Sequence, residues 1–185
     1  KVNLTKKKCE IYGNGINGFN FKKNIVLNAG NSGTLGRLIL PLLIKSPEKI
    51  KLVGDKSLSK RDFKRITDPL SKFGAKFKLN KKKYLPLKIY GSKKLKPINY
   101  FENRGSAQCK SSVMFGAMRV KGTTIIKANK SRNHTELMCK QLNLPVSVKN
   151  KKNYDEIKIK KVSKINKFDY IIPCDISSSA FFMVL

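Results

Sequence analysis

An internal repeat constrains this chain more than any other feature. Helix starts opened by a serine recur at Ser32, Ser106 and Ser177, spaced 74 and 71 residues apart. Arg61 and Arg132 recur 71 residues apart, each at the mouth of the second helical run of its unit. That period exceeds the common solenoid repeats, so each unit reads as a supersecondary module. The pattern divides residues 1–92, 93–163 and 164–185 into units, the last truncated. No linker or low-complexity stretch separates them, and residues 1–185 read as a single domain.

The elements within the units follow from apolar periodicity and turn chemistry. Cys9–Tyr12 predicts a strand. Ser32–Ile44 predicts a helix with Asn31 or Ser32 as its N-cap. Lys49–Val53 is a strand, and Arg61–Phe73 a helix closed by Gly74. Ala75–Leu79 and Leu85–Tyr90 form a strand pair around the polar turn Asn80–Lys83. The order then returns: helix Ser106–Met118, strand Thr123–Ala128, helix Asn133–Leu142, strands Val146–Lys149 and Glu156–Ile159. Tyr170–Ile172 and a helix from Ser177 would begin a third copy. Short strands alternating with helices give an α/β (α+β) class.

The formal charge of +30 raises the question of an anionic partner. Of the 41 basic residues, 35 are Lys and only six are Arg, beside abundant Asn and Ile, which is the mixture compositional drift would leave. Nucleic-acid readers lean on Arg for bidentate and stacked contacts. The informative residues are therefore the six arginines. No apolar run reaches the roughly 18 residues that would span a bilayer. The four cysteines stand far apart, which argues against a zinc site or a disulfide framework and fits reduced thiols in the cytoplasm. The chain opens at Lys1 and closes in the apolar run Phe181–Leu185 without a stop signal, so a fragment of a longer protein, incomplete at both ends, is expected.

Leu27–Arg37 (LNAGNSGTLGR) carries the strongest chemistry. Small and hydroxylated residues open an apolar helix, whose free N–H groups and positive dipole end suit a phosphate or carboxylate. Gly33 would let a ligand approach the backbone closely, and Arg37 adds a cation one turn in. An ordinary helix cap would look the same. Gly105-Ser106-Ala107-Gln108 stands at the matching start of the second unit, and Asp175-Ile176-Ser177-Ser178 at the third, where Asp175 reads as a cap. Arg61 and Arg132 suit planar, bidentate anion binding. His134, the only histidine, has no nucleophile motif beside it and reads as a support of its helix start.

Five segments in order resemble those of the EPSP synthase family: Asn28–Thr34 with Arg37, Gly54-Asp55 with Ser57-Leu58 and Arg61, Ser106-Ala107-Gln108 with Lys110-Ser111, Ser131–Glu136, and Asp175–Phe182. Asp62, Gly36, Asn133 and Cys174 depart from its pattern. The resemblance implies the enolpyruvate transferase fold, an inside-out α/β barrel of repeated βαβαββ units, with one lobe largely present here. It implies transfer of an enolpyruvyl group from phosphoenolpyruvate to the 5-hydroxyl of shikimate 3-phosphate, in chorismate and aromatic amino acid biosynthesis, without metal or cofactor. Gly33, Arg61 and Gln108 would contact phosphoenolpyruvate. Ser106, Ala107, Gln108, Ser131 and Arg132 would hold shikimate 3-phosphate. Asn31, Ser32, Thr34, Arg37, His134 and Asp175 would support them.

By the family's pattern a Lys-Ser pair and an Arg precede this stretch, and the catalytic acids follow it. No catalytic residue is therefore expected here, and the piece should not turn over substrate unaided. The full-length protein is expected to be a cytoplasmic monomer with no membrane or nucleic-acid partner. Two rivals remain: a UDP-N-acetylglucosamine 1-carboxyvinyltransferase, and a basic nucleic-acid-binding module, which would interleave aromatic residues with Arg on one face.

Overall fold

The computed structural model describes residues 1–19 and 21–172. The expected cap Asp175 and the helix from Ser177 lie outside the described residues. A short antiparallel hairpin, β1 (Val2–Leu4) and β2 (Cys9–Ile11), leads in.

Two four-stranded sheets follow, built to one plan. The first contains β3 (Val26–Asn28), β4 (Ile50–Val53), β5 (Lys76–Asn80) and β6 (Tyr84–Tyr90), in the spatial order β3-β4-β6-β5. The second contains β7 (Asn99–Glu102), β8 (Thr123–Asn129), β9 (Val146–Asn150) and β10 (Tyr154–Lys160), in the order β7-β8-β10-β9. In each sheet the first two strands are parallel and the rest antiparallel. Helices α1 (Gly33–Leu38) and α2 (Lys64–Lys72) connect the first set; α3 (Ala107–Ala117) and α4 (His134–Gln141) connect the second. Both units are therefore βαβαββ modules.

Strand alternation aims one face of each sheet at the helices. In β6, Leu85, Leu87 and Ile89 are buried while Pro86, Lys88 and Tyr90 face out. In β10, Ile157 and Ile159 repeat that phase. Between the second sheet and the helices of the first unit, α3 is buried almost all round: Cys109–Met114, Gly116 and Ala117 are buried. A helix without a solvent face belongs at the centre of a core. A Cβ built on Gly116 would lie 3.0 Å from the Phe73 ring and 3.2 Å from Leu70, so α2 and α3 touch at near backbone distance. Phe63, Ile66, Leu70 and Phe73 are fully buried on the α2 side of that contact. Each contributes roughly 1.5–3 kcal/mol over an exposed position.

Several expectations need correction. The helix over Ser32–Ile44 ends at Leu38 and continues as a 3₁₀ turn, Leu40–Leu43. Pro41 has no N–H to give the Arg37 carbonyl, and its ring crowds that group. Ser32, rather than Asn31, is the N-cap, its hydroxyl accepting from Leu35 N at 3.1 Å. The second helix starts at Lys64 instead of Arg61. Arg61 is extended (φ −82°, ψ 146°) and closes a 3₁₀ turn over Leu58–Lys60, and Phe63 N is tied to the Lys83 carbonyl at 2.8 Å. The Asp62 carboxylate accepts from Lys64 N at 2.7 Å, so it steadies the turn where the family pattern has proline. Strands β1, β3 and β7 were not anticipated. Tyr170–Ile172 forms no strand: Ile171 and Ile172 are 93% and 83% exposed, with no neighbouring strand to pair with among the described residues. Gly74 does end α2, at φ +118°, where a side chain would be strained.

Gly36, which departs from the family pattern, lies inside α1, where a glycine costs about 1 kcal/mol against Ala. A Cβ there would meet the Phe63 ring at 3.2 Å. The missing methyl is filled by a fully buried aromatic ring, which offsets the conformational cost.

Candidate functional site

The loop before α1 is folded by its own side chains. Asn28 Oδ1 accepts from Gly30 N at 2.9 Å, and the Gly30 carbonyl accepts from Asp55 N at 2.9 Å. This ties the start of α1 to the Gly54–Arg61 loop. Asp55 Oδ1 accepts from Leu58 N at 2.7 Å and shapes the turn that delivers Arg61. The result places Arg61 at the α1 mouth. A Cβ on Gly33 would lie 3.0 Å from Arg61 Nη1 and 3.3 Å from Arg37 Nη1. Without a side chain, Gly33 lets both guanidiniums lie close over this backbone; a Cβ would press on each of them.

Gln108, on the first turn of α3, is held from both ends by α1. Arg37 Nη1 donates to its Oε1 at 2.6 Å, and its Nε2 donates to Thr34 Oγ1 at 3.0 Å. The repeat-related helix starts thus meet side by side. Ser106 caps α3, its hydroxyl accepting from Cys109 N at 3.3 Å. The same oxygen accepts from Arg65 Nη2 at 2.8 Å, and Arg65 Nε donates to Cys109 Sγ at 3.3 Å. Both bonds use Ser106 as acceptor, so its O–H remains available to a ligand oxygen.

Three guanidiniums, Arg37, Arg61 and Arg65, gather at this mouth. Burial holds the Arg37 guanidinium below its ordinary pKa, and the charges of Arg65 and Arg61 add to the effect. The Arg65 guanidinium is shifted up, chiefly by its bond to Cys109. Arg37 Nε is buried without a hydrogen-bond partner. A cluster of cations with unused donors favours an anion.

On the other side of Gln108 a cleft of about 510 Å³ opens. It is lined by Ala107, Gln108, Ser131, Arg132 and His134 among others. Ser131 Oγ is buried without a partner, and a buried hydroxyl in that state is costly unless something else binds it. Arg132 is exposed at the cleft and His134 stands on its rim.

The structure therefore brings Ala107, Gln108, Ser131 and Arg132 to one cleft, and Gly33, Arg61 and Arg37 to an adjoining mouth. Ser106 and Asn31 do not line the cleft. The predicted second helix of the second unit opens at Asn133. That residue sits at the N-cap position of α4, but its side chain makes no cap bond. Arg65 and the buried Glu102 were missed. Glu102 accepts from Ser106 N at 2.8 Å and Arg104 N at 3.2 Å, clasping the loop before α3. Arg65 stands on the first turn of α2, four residues beyond the extended Arg61.

A sequence model of the family described as EPSP synthase (3-phosphoshikimate 1-carboxyvinyltransferase) matches residues 1–185. The chain belongs to the EPSP synthase family. It is 42% identical over its full length to the 3-phosphoshikimate 1-carboxyvinyltransferase of Caldicellulosiruptor bescii, covering 42% of that protein. Against the Leuconostoc mesenteroides protein of the same name it is 39% identical, again over its full length and 42% of the relative. The solved EPSP synthase of Acinetobacter baumannii superposes with a TM-score of 0.86 at 33% identity, covering 100% of this chain and 41% of that one. The chain thus spans about two fifths of the length of these EPSP synthases. No helix among the described residues is long and apolar enough to cross a membrane.

Proposed function

We propose that the protein containing this chain transfers the enolpyruvyl group of phosphoenolpyruvate to the 5-hydroxyl of shikimate 3-phosphate. One observation carries the assignment. The Gln108 amide lies between the Gly33–Arg61 mouth and the Ser131–Arg132 cleft, fixed by Arg37 and Thr34. That arrangement supports two anions held side by side with an amide between them.

In this assignment Arg61 and the backbone at Gly33 grip phosphoenolpyruvate. Ser131, Arg132 and Ala107 hold the phosphorylated acceptor, and Gln108 touches both. The acceptor hydroxyl loses its proton and adds to the vinyl carbon bearing the phosphate oxygen while the terminal CH2 takes up a proton. Phosphate then leaves from the tetrahedral intermediate as the new methyl gives up a proton and the vinyl bond re-forms. The gathered guanidiniums offset the repulsion between two polyanions and orient them for attack. Groups that move protons are assigned to the rest of the protein, so this chain contributes binding and orientation as part of one lobe. The scheme needs no metal or cofactor, and it describes a cytoplasmic monomer.

The test is phosphate release by the full-length protein given phosphoenolpyruvate with either shikimate 3-phosphate or UDP-N-acetylglucosamine. Turnover with the former alone is expected. Turnover with the nucleotide sugar alone would overturn the acceptor assignment.

A further inference from the structure

We propose that the buried ion pair Lys110–Glu136 is a positioning device for the cleft loop Ser131-Arg132-Asn133. Only the choice of ligand rests on the enolpyruvyl transfer proposed above. Lys110 on α3 is 0% exposed and Glu136 on α4 is 6% exposed. The ammonium lies 2.5 Å from Glu136 Oε1 and donates to the backbone carbonyl of Arg132 at 3.0 Å. Lys110 does not line the cleft.

Stability gives little reason to keep such a pair. Burying two charges is costly, and apolar residues of similar volume commonly serve a core as well or better. The local sequence also forgoes an easier use of the acid. Glu136 stands three residues after Asn133, the spacing at which a carboxylate turns back onto the N-cap amide in a capping box. Here the Asn133 side chain makes no cap bond, and Glu136 turns inward to Lys110. A helix start that gives up a local stabilising device marks a site where another demand wins.

That demand is visible one residue away. With its carbonyl held by Lys110, Arg132 cannot rotate its peptide without breaking a charge-assisted bond. The loop then keeps the Ser131 hydroxyl and the Arg132 guanidinium at the cleft. A second stitch, Ser111 Oγ to Thr135 Oγ1 at 2.7 Å, joins the same two helices beside the loop. Neither contact reaches the Gly33–Arg61 mouth, so the device acts on one ligand only.

The experiment uses the full-length protein with Lys110→Met/Glu136→Leu, which removes both charges and leaves neither orphaned. Glu136→Gln serves as a second variant that keeps the ammonium and its bond to Arg132. The double variant is expected to fold with a midpoint close to the parent's. Its KM for shikimate 3-phosphate should rise about tenfold, the scale of one lost charge-assisted hydrogen bond. The KM for phosphoenolpyruvate should stay within twofold, and Glu136→Gln should retain most of the acceptor affinity. Amide hydrogen exchange over residues 130–133 should quicken in the double variant alone. An unchanged acceptor KM with unchanged exchange, or equal rises for both substrates, would overturn the proposal. If the parent itself turns over neither substrate, the functional assignment fails, and the exchange data still decide whether the pair holds the loop.

Discussion

Gln108→Glu separates what the bridge does for the fold from what it does for ligands. The replacement is nearly isosteric. Its carboxylate keeps the 2.6 Å contact with Arg37 Nη1, and the Thr34 hydroxyl, 3.0 Å away, can turn from acceptor to donor. A neutral acceptor on a guanidinium becomes an ion pair, beside three crowded cations of which Arg37 is already shifted by burial and its neighbours. The gain is about 1 kcal/mol, since charge-assisted bonds are roughly twice as strong as neutral ones. For an anionic ligand the sign reverses. A new negative charge about 6 Å from a phosphate, at an effective dielectric of about 20, costs about 3 kcal/mol. That is roughly a hundredfold in affinity. Thermal unfolding of the full-length variant should therefore show a raised midpoint, while titration calorimetry with phosphoenolpyruvate and with shikimate 3-phosphate shows both weakened. A lowered midpoint, or affinities within twofold of the parent, would refute the placement of this amide between two anions.

Other perturbations probe single contacts. Arg61→Ala should raise the KM for phosphoenolpyruvate and cut turnover in steady-state assays of the full-length protein; unchanged kcat/KM would count against its place at the donor mouth. Ser131→Ala removes a buried hydroxyl that has no protein partner, so its unfolding midpoint should be unchanged or slightly higher while the acceptor KM rises several-fold. Among the described cysteines, thiol labelling at pH 8 should modify the exposed Cys9 first. Burial, with Glu136 adding to it, pushes the Cys139 thiol up to about 11, so at pH 8 it stays protonated and should resist the reagent until the chain unfolds. Above pH 10, Tyr100, whose phenol burial raises to about 12, should cost stability: it ionises more easily unfolded, so the loss grows from pH 10 to 12. Alkaline denaturation followed by phenolate absorbance reads that window.

The repeat and its helix starts were legible because serine caps and paired arginines are local signals at matching places. The limits of legibility are as physical as the successes. Strand β3 is three residues long and β7 four, too short for period-two alternation to emerge. In β7 the inward residue at one end is Glu102, whose burial depends on two backbone amides downstream. The shortened α1 could have been foreseen from Pro41, whose effect on the preceding turn is local. The reason for Gly36 was not legible because its partner, Phe63, lies 27 positions away. Lys110 stood out as a motif residue, but nothing local in the sequence showed that the core would enclose its ammonium, because its partner Glu136 lies on another helix. Arg37, Gln108 and Thr34 were each visible as polar residues at helix mouths, but the bonds among them cross from one unit to the other and exist only after folding.

Helix α3 is buried along most of its length, yet Ala107 and Gln108 of its first turn line the cleft. Further along, Val113 and Met114 are buried and Gly116 packs on Phe73. A shallow side-chain exchange deep in that packing could swing Gln108 by a fraction of an ångström and silence binding in a protein that still melts normally. Screens that score only folding would pass such variants as healthy.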